Sequence, residues 1–157
     1  MNERKDYILG VDLGGTNIKA AAYRLESYEK VGEKRLPTQV EGGWEHVLGR
    51  VLAALEELLR QTPRERVLCV GMGVPGLLDI EAGVSRFSPN FPQWEDVPVA
   101  AWLEERLMGP ARRVVESHAL AISRAGCEIV TAQLGDAAGM LGAAVYGARR
   151  MGEGARM

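Results

Sequence analysis

The chain has 157 residues, 25% of them charged, with a formal net charge of -2 and a pI near 5.8. That length suits one domain burying about 70% of its unfolded surface and argues against a second full domain. The charge balance offers no basic surface for nucleic acid, and with no leader and no apolar run of membrane-spanning length the expectation is a cytoplasmic protein with no membrane contact.

The first structured stretch is YILGVDLGGTNIKAAAY, from Tyr7 to Tyr23. Tyr7–Val11 is an apolar run of strand length that ends in Asp12. Leu13-Gly14-Gly15-Thr16 makes a turn, and Ile18, Ala20 and Ala22 alternate as on a second strand. The tip has the chemistry of a nucleotide-phosphate cradle. Glycines let backbone N–H groups approach an anion, Thr16 adds a hydroxyl, Lys19 adds a positive charge, and Asp12 is suited to a hydrated Mg²⁺ shared with a phosphate. Nucleotide folds of the P-loop or dinucleotide type place a helix directly after the glycines, whereas an alternating strand pattern follows here. An ordinary tight hairpin turn is the alternative.

Further along, Tyr28 to Leu36 is mixed and charged, as on a third antiparallel strand near a sheet edge, and Pro37 ends it. From Gly43 to Gln61, Trp44, Val47, Leu48, Val51, Leu52, Leu55, Leu58 and Leu59 recur at helical spacing, with Pro63 beyond. His46 lies off that stripe, as a solvated residue. Val67 to Val74 is a strand-length apolar run closed by Pro75-Gly76. Two strands around a helix predict a βαβ crossover, with this strand parallel to the first and its following loop near Asp12. Leu77 to Trp94 alternates apolar and turn residues. A second helix is predicted from about Pro98 to Met108, with Val99, Trp102, Leu103 and Leu107 on one face. Cys69 and Cys127 both sit in apolar runs and read as buried thiols.

Two motifs in order give the chain a family likeness. DLGGTNIK after a buried strand resembles the first phosphate motif of the ROK family (repressor, open reading frame, kinase). GMGVPGLLD followed by GVSRFSPN and Trp94 is similar to that family's sugar-site region. The resemblance implies an α/β fold, the ribonuclease H-like small lobe of an actin-like ATPase, with a mixed sheet and flanking helices. It implies an ATP-dependent hexose or glucose kinase, with ATP and Mg²⁺ as cofactors. Asp12, Gly14, Gly15, Thr16 and Lys19 would be the ATP-phosphate residues, Asp12 also serving the metal, and Gly76 and Asn90 would border the sugar. Asn90 supplies a donor and an acceptor for hydroxyls, and Trp94 an apolar face; Asn90 capping a turn and Trp94 stapling the next helix is the alternative.

The resemblance breaks after Leu107. A kinase of this family continues with a strand ending in Asn-Asp, whose Asp takes the proton from the sugar hydroxyl, but Pro110 to Leu120 contains no Asp. His118 is the weak remaining candidate for a base, and it also fits a helix face with Val114, Val115 and Ile122. Cys127 to Arg149 resembles the family's C-terminal strand and small-residue helix, with Asp136 as N-cap. The expected organisation is therefore residues 1–109 as the N-terminal lobe and 110–157 as a C-terminal segment packing back on it, about half of a kinase with the middle missing. A second phosphate loop of DGTG type, an ExGH sequence and a zinc motif are absent from the sequence. The expectations are a catalytically incompetent chain, with a homo-oligomer or a full-length kinase as possible partner. With six residues before the first strand, the winged helix of the resembling repressors is not expected.

Overall fold

The computed structural model describes residues 5–107 and 138–154. Strand β1 (Tyr7–Leu13) turns into β2 (Asn17–Arg24), which turns into β3 (Lys30–Pro37). Helix α1 (Gly43–Leu59) then crosses over to β4 (Val67–Gly73). The strand order is β3-β2-β1-β4, antiparallel except for the parallel β1–β4 pair, so the βαβ crossover lies where the sequence predicts it. β3 begins two residues later than expected, because Tyr28 adopts a left-handed φ of 56° in the preceding turn.

The two faces of this sheet are covered differently. On one, Val47, Leu48, Val51, Leu55 and Leu58 of α1 join Leu9, Val11, Leu13, Ile18, Ala20 and Ala22 in one buried cluster. That is the interdigitation expected of an amphipathic helix on alternating strands. On the other face, helix α3 (Ala138–Gly154) lies over β1 and β4, where Met140 and Ala144 cluster with Ile8, Ala21, Tyr23 and Cys69. Gly10 and Gly71 are register partners in β1 and β4. A Cβ at Gly10 would come within 1.9 Å of the Met140 carbonyl oxygen, and one at Gly71 within 2.0 Å of that of Ala143. The helix backbone therefore rests directly on a glycine floor. The buried Cys69 thiol lies 3.9 Å from the Ala144 carbonyl oxygen, as a structural thiol; Cys127, Asp136 and His118 lie outside the described residues.

A second, smaller sheet follows β4. It has the order β5 (Leu77–Asp79), β6 (Val84–Phe87), β7 (Glu95–Val97), all antiparallel. β7 has no sequence signature, since two of its three residues, Glu95 and Asp96, are charged and exposed and only Val97 is buried. Helix α2 covers residues 99–107, with Val99, Leu103 and Leu107 buried in the same cluster as α1.

Candidate phosphate and sugar site

The C-terminal end of β1 is where the chemistry-bearing residues gather. Asp12 is the register partner of Lys19 in β2 and of Gly73 in β4, so the carboxylate and the ammonium are borne on the same face of neighbouring strands. Both lie on the face that α3 covers, one pleat beyond the Gly10 contact. Residues 14–17 form the connecting turn, closed by the Gly14 N–H donating to the Asn17 carbonyl at 3.0 Å. Gly15 and Thr16 are exposed at its tip.

The glycines of this turn are not there for backbone conformation. The described glycines with left-handed φ are Gly43, Gly76 and Gly83, so Gly14 and Gly15 hold angles open to any residue. A two-residue hairpin turn of the kind that demands glycine is therefore not what the Gly-Gly pair serves. At Gly15 the missing side chain leaves access to the backbone, whereas a Cβ at Gly14 would come within 3.0 Å of the Asn17 carbonyl oxygen. The turn is also held from behind. Thr38, fully buried just after β3, donates its hydroxyl to the Gly14 carbonyl at 2.6 Å, and its N–H to the Thr16 carbonyl at 2.9 Å.

The second motif meets the first. A Cβ at Gly15 would lie 3.6 Å from the Cβ of Asn90, so the turn tip and the Pro-Asn loop are in direct proximity. Asn90 is exposed because its neighbours are anchored. Phe91 and Trp94 are buried with ring centroids 4.7 Å apart, and the Phe91 N–H donates to the Ser88 carbonyl at 3.2 Å. Trp94, 2% exposed, belongs to the core against Phe91 and offers no face to a sugar. Gly76 adopts φ 112°, and a Cβ there would meet the Phe87 carbonyl oxygen at 2.1 Å. That glycine is required by conformation and by packing, and it ties the Pro75-Gly76 turn to the start of the Asn90 loop. Among the described residues no group of three or more His, Cys, Asp or Glu converges as a metal cage. One carboxylate beside a Gly-rich turn is chemically compatible with a hydrated Mg²⁺, which keeps most of its waters.

The ROK family model matches residues 8–126. The chain belongs to the ROK family. A glucokinase from Thermotoga maritima is 38% identical over 63% of this ROK chain and 30% of its own length. A xylose repressor from Caldicellulosiruptor bescii is 24% identical over 78% of this chain and 31% of its own. Among solved structures, a ROK family glucokinase from Streptomyces griseus in complex with glucose and AMPPNP superposes with a TM-score of 0.59. It is 22% identical, over 80% of this chain and 32% of that one, and shows the fold, an actin-like ATPase lobe. The matched part of the chain spans about a third of the length of these relatives. Among the described residues no helix is long and apolar enough to cross a membrane.

Of the residues singled out from sequence, Asp12, Gly14, Gly15, Thr16 and Lys19 share one strand end and its turn. Asn90 borders that turn, and Gly76 lies against the Phe87–Ser88 backbone at the start of the Asn90 loop. Thr38 was not foreseen. A threonine after a proline at a strand end has no local signature, and only the hydrogen bonds across the sheet end distinguish it.

Proposed function

We propose that this chain is the phosphate-binding lobe of a ROK sugar kinase, in which Asp12, Gly14, Gly15, Thr16 and Lys19 receive the phosphates of ATP and Gly76 and Asn90 border a hexose. The observation that carries this reading is the Gly14-Gly15 pair. It needs no left-handed φ, and Gly15 stands exposed at the turn tip beside Asn90. Bound Mg-ATP would supply the transferable phosphoryl group. The chain's own contributions are the Asp12 carboxylate toward a hydrated metal, backbone N–H groups and the Thr16 hydroxyl toward phosphate oxygens, and the Lys19 charge.

Phosphoryl transfer also requires a base on the sugar hydroxyl and a clamp on the far side of the nucleotide, held together in one geometry. The sequence has no Asp between Pro110 and Leu120 and no DGTG loop, and it spans about a third of its kinase relatives. The isolated chain therefore binds without turning over. Residues 1–109 act as the lobe and 110–157 as the segment that closes it, in a cytoplasmic protein. A second reading, a non-catalytic nucleotide- or sugar-binding module that pairs with another copy or with a full-length kinase, is favoured by the same short coverage.

The test is ADP release from Mg-ATP across a panel of hexoses, with Asp12→Ala as control, alongside the thermal shift with Mg-ATP. The expected result is no sugar-dependent ADP release and a melting temperature raised by Mg-ATP in the parent chain only. Sugar-dependent release that Asp12→Ala abolishes would overturn the incompetence. The absence of any Mg-ATP shift would overturn the phosphate site.

A further inference from the structure

Thr38 makes two bonds to the turn: its N–H extends the β2–β3 register one pair beyond Asn17–Pro37, and its hydroxyl bond lies outside that ladder. Its backbone follows Pro37, the last residue of the strand, and its side chain is fully buried beneath the Gly-rich turn. The hydroxyl donates to the Gly14 carbonyl at 2.6 Å and the N–H donates to the Thr16 carbonyl at 2.9 Å. One residue thus holds two of the turn's carbonyls on the same, inward side. The Gly14 N–H is engaged as well, by the Asn17 carbonyl at 3.0 Å.

The consequence follows from peptide geometry. No described peptide bond is cis, and in a planar trans peptide the N–H points opposite to the C=O. Tying the Gly14 carbonyl to Thr38 therefore turns the Gly15 N–H away from the protein interior, at an exposed residue whose missing side chain leaves it open. Glycines without a conformational constraint are otherwise free to rotate this peptide, which would present a carbonyl oxygen, repulsive to an anion, in the same place. Backbone donors that are aligned before the ligand arrives cost no reorganisation on binding.

We infer that Thr38 is a positioning residue of the phosphate turn. It locks the Gly14–Gly15 peptide with its N–H outward, so that the turn is built for an anionic phosphate before one binds. This rests on the nucleotide reading given above for the ligand, but the locking itself is independent of it.

The experiment compares the parent chain with Thr38→Val, which keeps the shape and removes the hydroxyl, and Thr38→Ser, which keeps the hydroxyl. Mg-ATP affinity is measured by titration, and amide hydrogen exchange is followed at Gly14 and at residue 38, both with and without nucleotide. Loss of one hydrogen bond to the turn predicts about tenfold weaker Mg-ATP binding in Thr38→Val and near-parent binding in Thr38→Ser. Exchange at Gly14 and residue 38 is expected to speed up in the valine variant only, with the exchange-protected core of β1 and β4 unchanged. Parent-like affinity and exchange in Thr38→Val would overturn the inference, as would equal losses in the serine variant, which would mark a packing role. If neither the parent nor Asp12→Ala responds to Mg-ATP, the nucleotide reading fails. The exchange data then decide the lock alone, with faster turn exchange in valine rescued by serine supporting it and unchanged exchange overturning it.

Discussion

The two faces of the main sheet bury similar lengths of helix by opposite means. Toward α1 the strands present Leu9, Val11, Leu13 and Ile18, and the helix answers with Val47, Leu48, Val51, Leu55 and Leu58. Toward α3 they present Gly10, Gly71 and Ala21, and the helix backbone comes down onto the two glycines at Met140 and Ala143. The first face is held by side-chain volume, so it suffers when volume is removed. The second is held by close backbone approach, so it suffers when volume is added. The difference also bears on the site. Asp12 and Lys19 belong to the close-approach face, so the seating of α3 on Gly10 lies one pleat from the proposed metal residue.

The largest effect is expected on the α1 face. Leu55→Ala, at a fully buried position, is expected to cost ~2–5 kcal/mol in chemical denaturation, a Leu-to-Ala cavity loss. A cost below ~1 kcal/mol would mean that the face collapses around the hole and is not held by volume.

Adding a single methyl group is the matching test of the other face. Gly71→Ala puts a Cβ within 2.0 Å of the Ala143 carbonyl, and helix backbone cannot give way as a flexible side chain would. It is expected to destabilise by about 1–3 kcal/mol. Gly49→Ala in α1 is the control, because a Cβ there meets nothing within 4 Å. That substitution is expected to stabilise by up to ~1 kcal/mol through helix propensity alone. The comparison breaks if the two glycines respond with the same sign.

The smallest effect concerns pH. Burial on the α3 face pushes the Tyr23 phenol above its ordinary value of 10.0, with a lowering from Lys30 and a raising from Glu33 as lesser influences. Folding thus favours the protonated phenol. Its contribution is fully present below the unfolded value and is lost as pH rises through the higher folded value. Melting temperatures between pH 8 and 11 are expected to fall more steeply for the parent than for Tyr23→Phe. Parallel profiles would show that Tyr23 does not report on this face.

Legibility followed the range of the physics involved. The α1 stripe, the hairpin and the β4 strand were readable because period and strand length are local properties, and Gly43–Leu59 matches the predicted helix to within two residues. DLGGTNIK and the Ser88-Pro89-Asn90 loop were readable as motifs, but that a Cβ at Gly15 would lie 3.6 Å from that of Asn90 is a spatial relation no motif carries. Trp94 was ambiguous in sequence because an aromatic residue in a loop suits either a ligand or a core, and its packing on Phe91 decides for the core. Glu95–Val97 showed no strand signal, since its pairing with β6 is made by backbone groups whatever the exposed side chains are.

The sequence by itself determined the α/β lobe, its buried helix stripe, the Gly-rich turn between Asp12 and Lys19 and the ROK likeness, because each is written in neighbouring residues. Tertiary structure alone decided what Gly10, Gly71 and Thr38 are for. Two glycines in apolar strands read as weak points until a helix backbone is found lying on them. A threonine after a proline reads as loop until its hydroxyl is found on the Gly14 carbonyl, 24 residues back in the chain. Close approach and hydrogen-bond geometry are relations between distant segments, and they exist only once the sheet has brought those segments together.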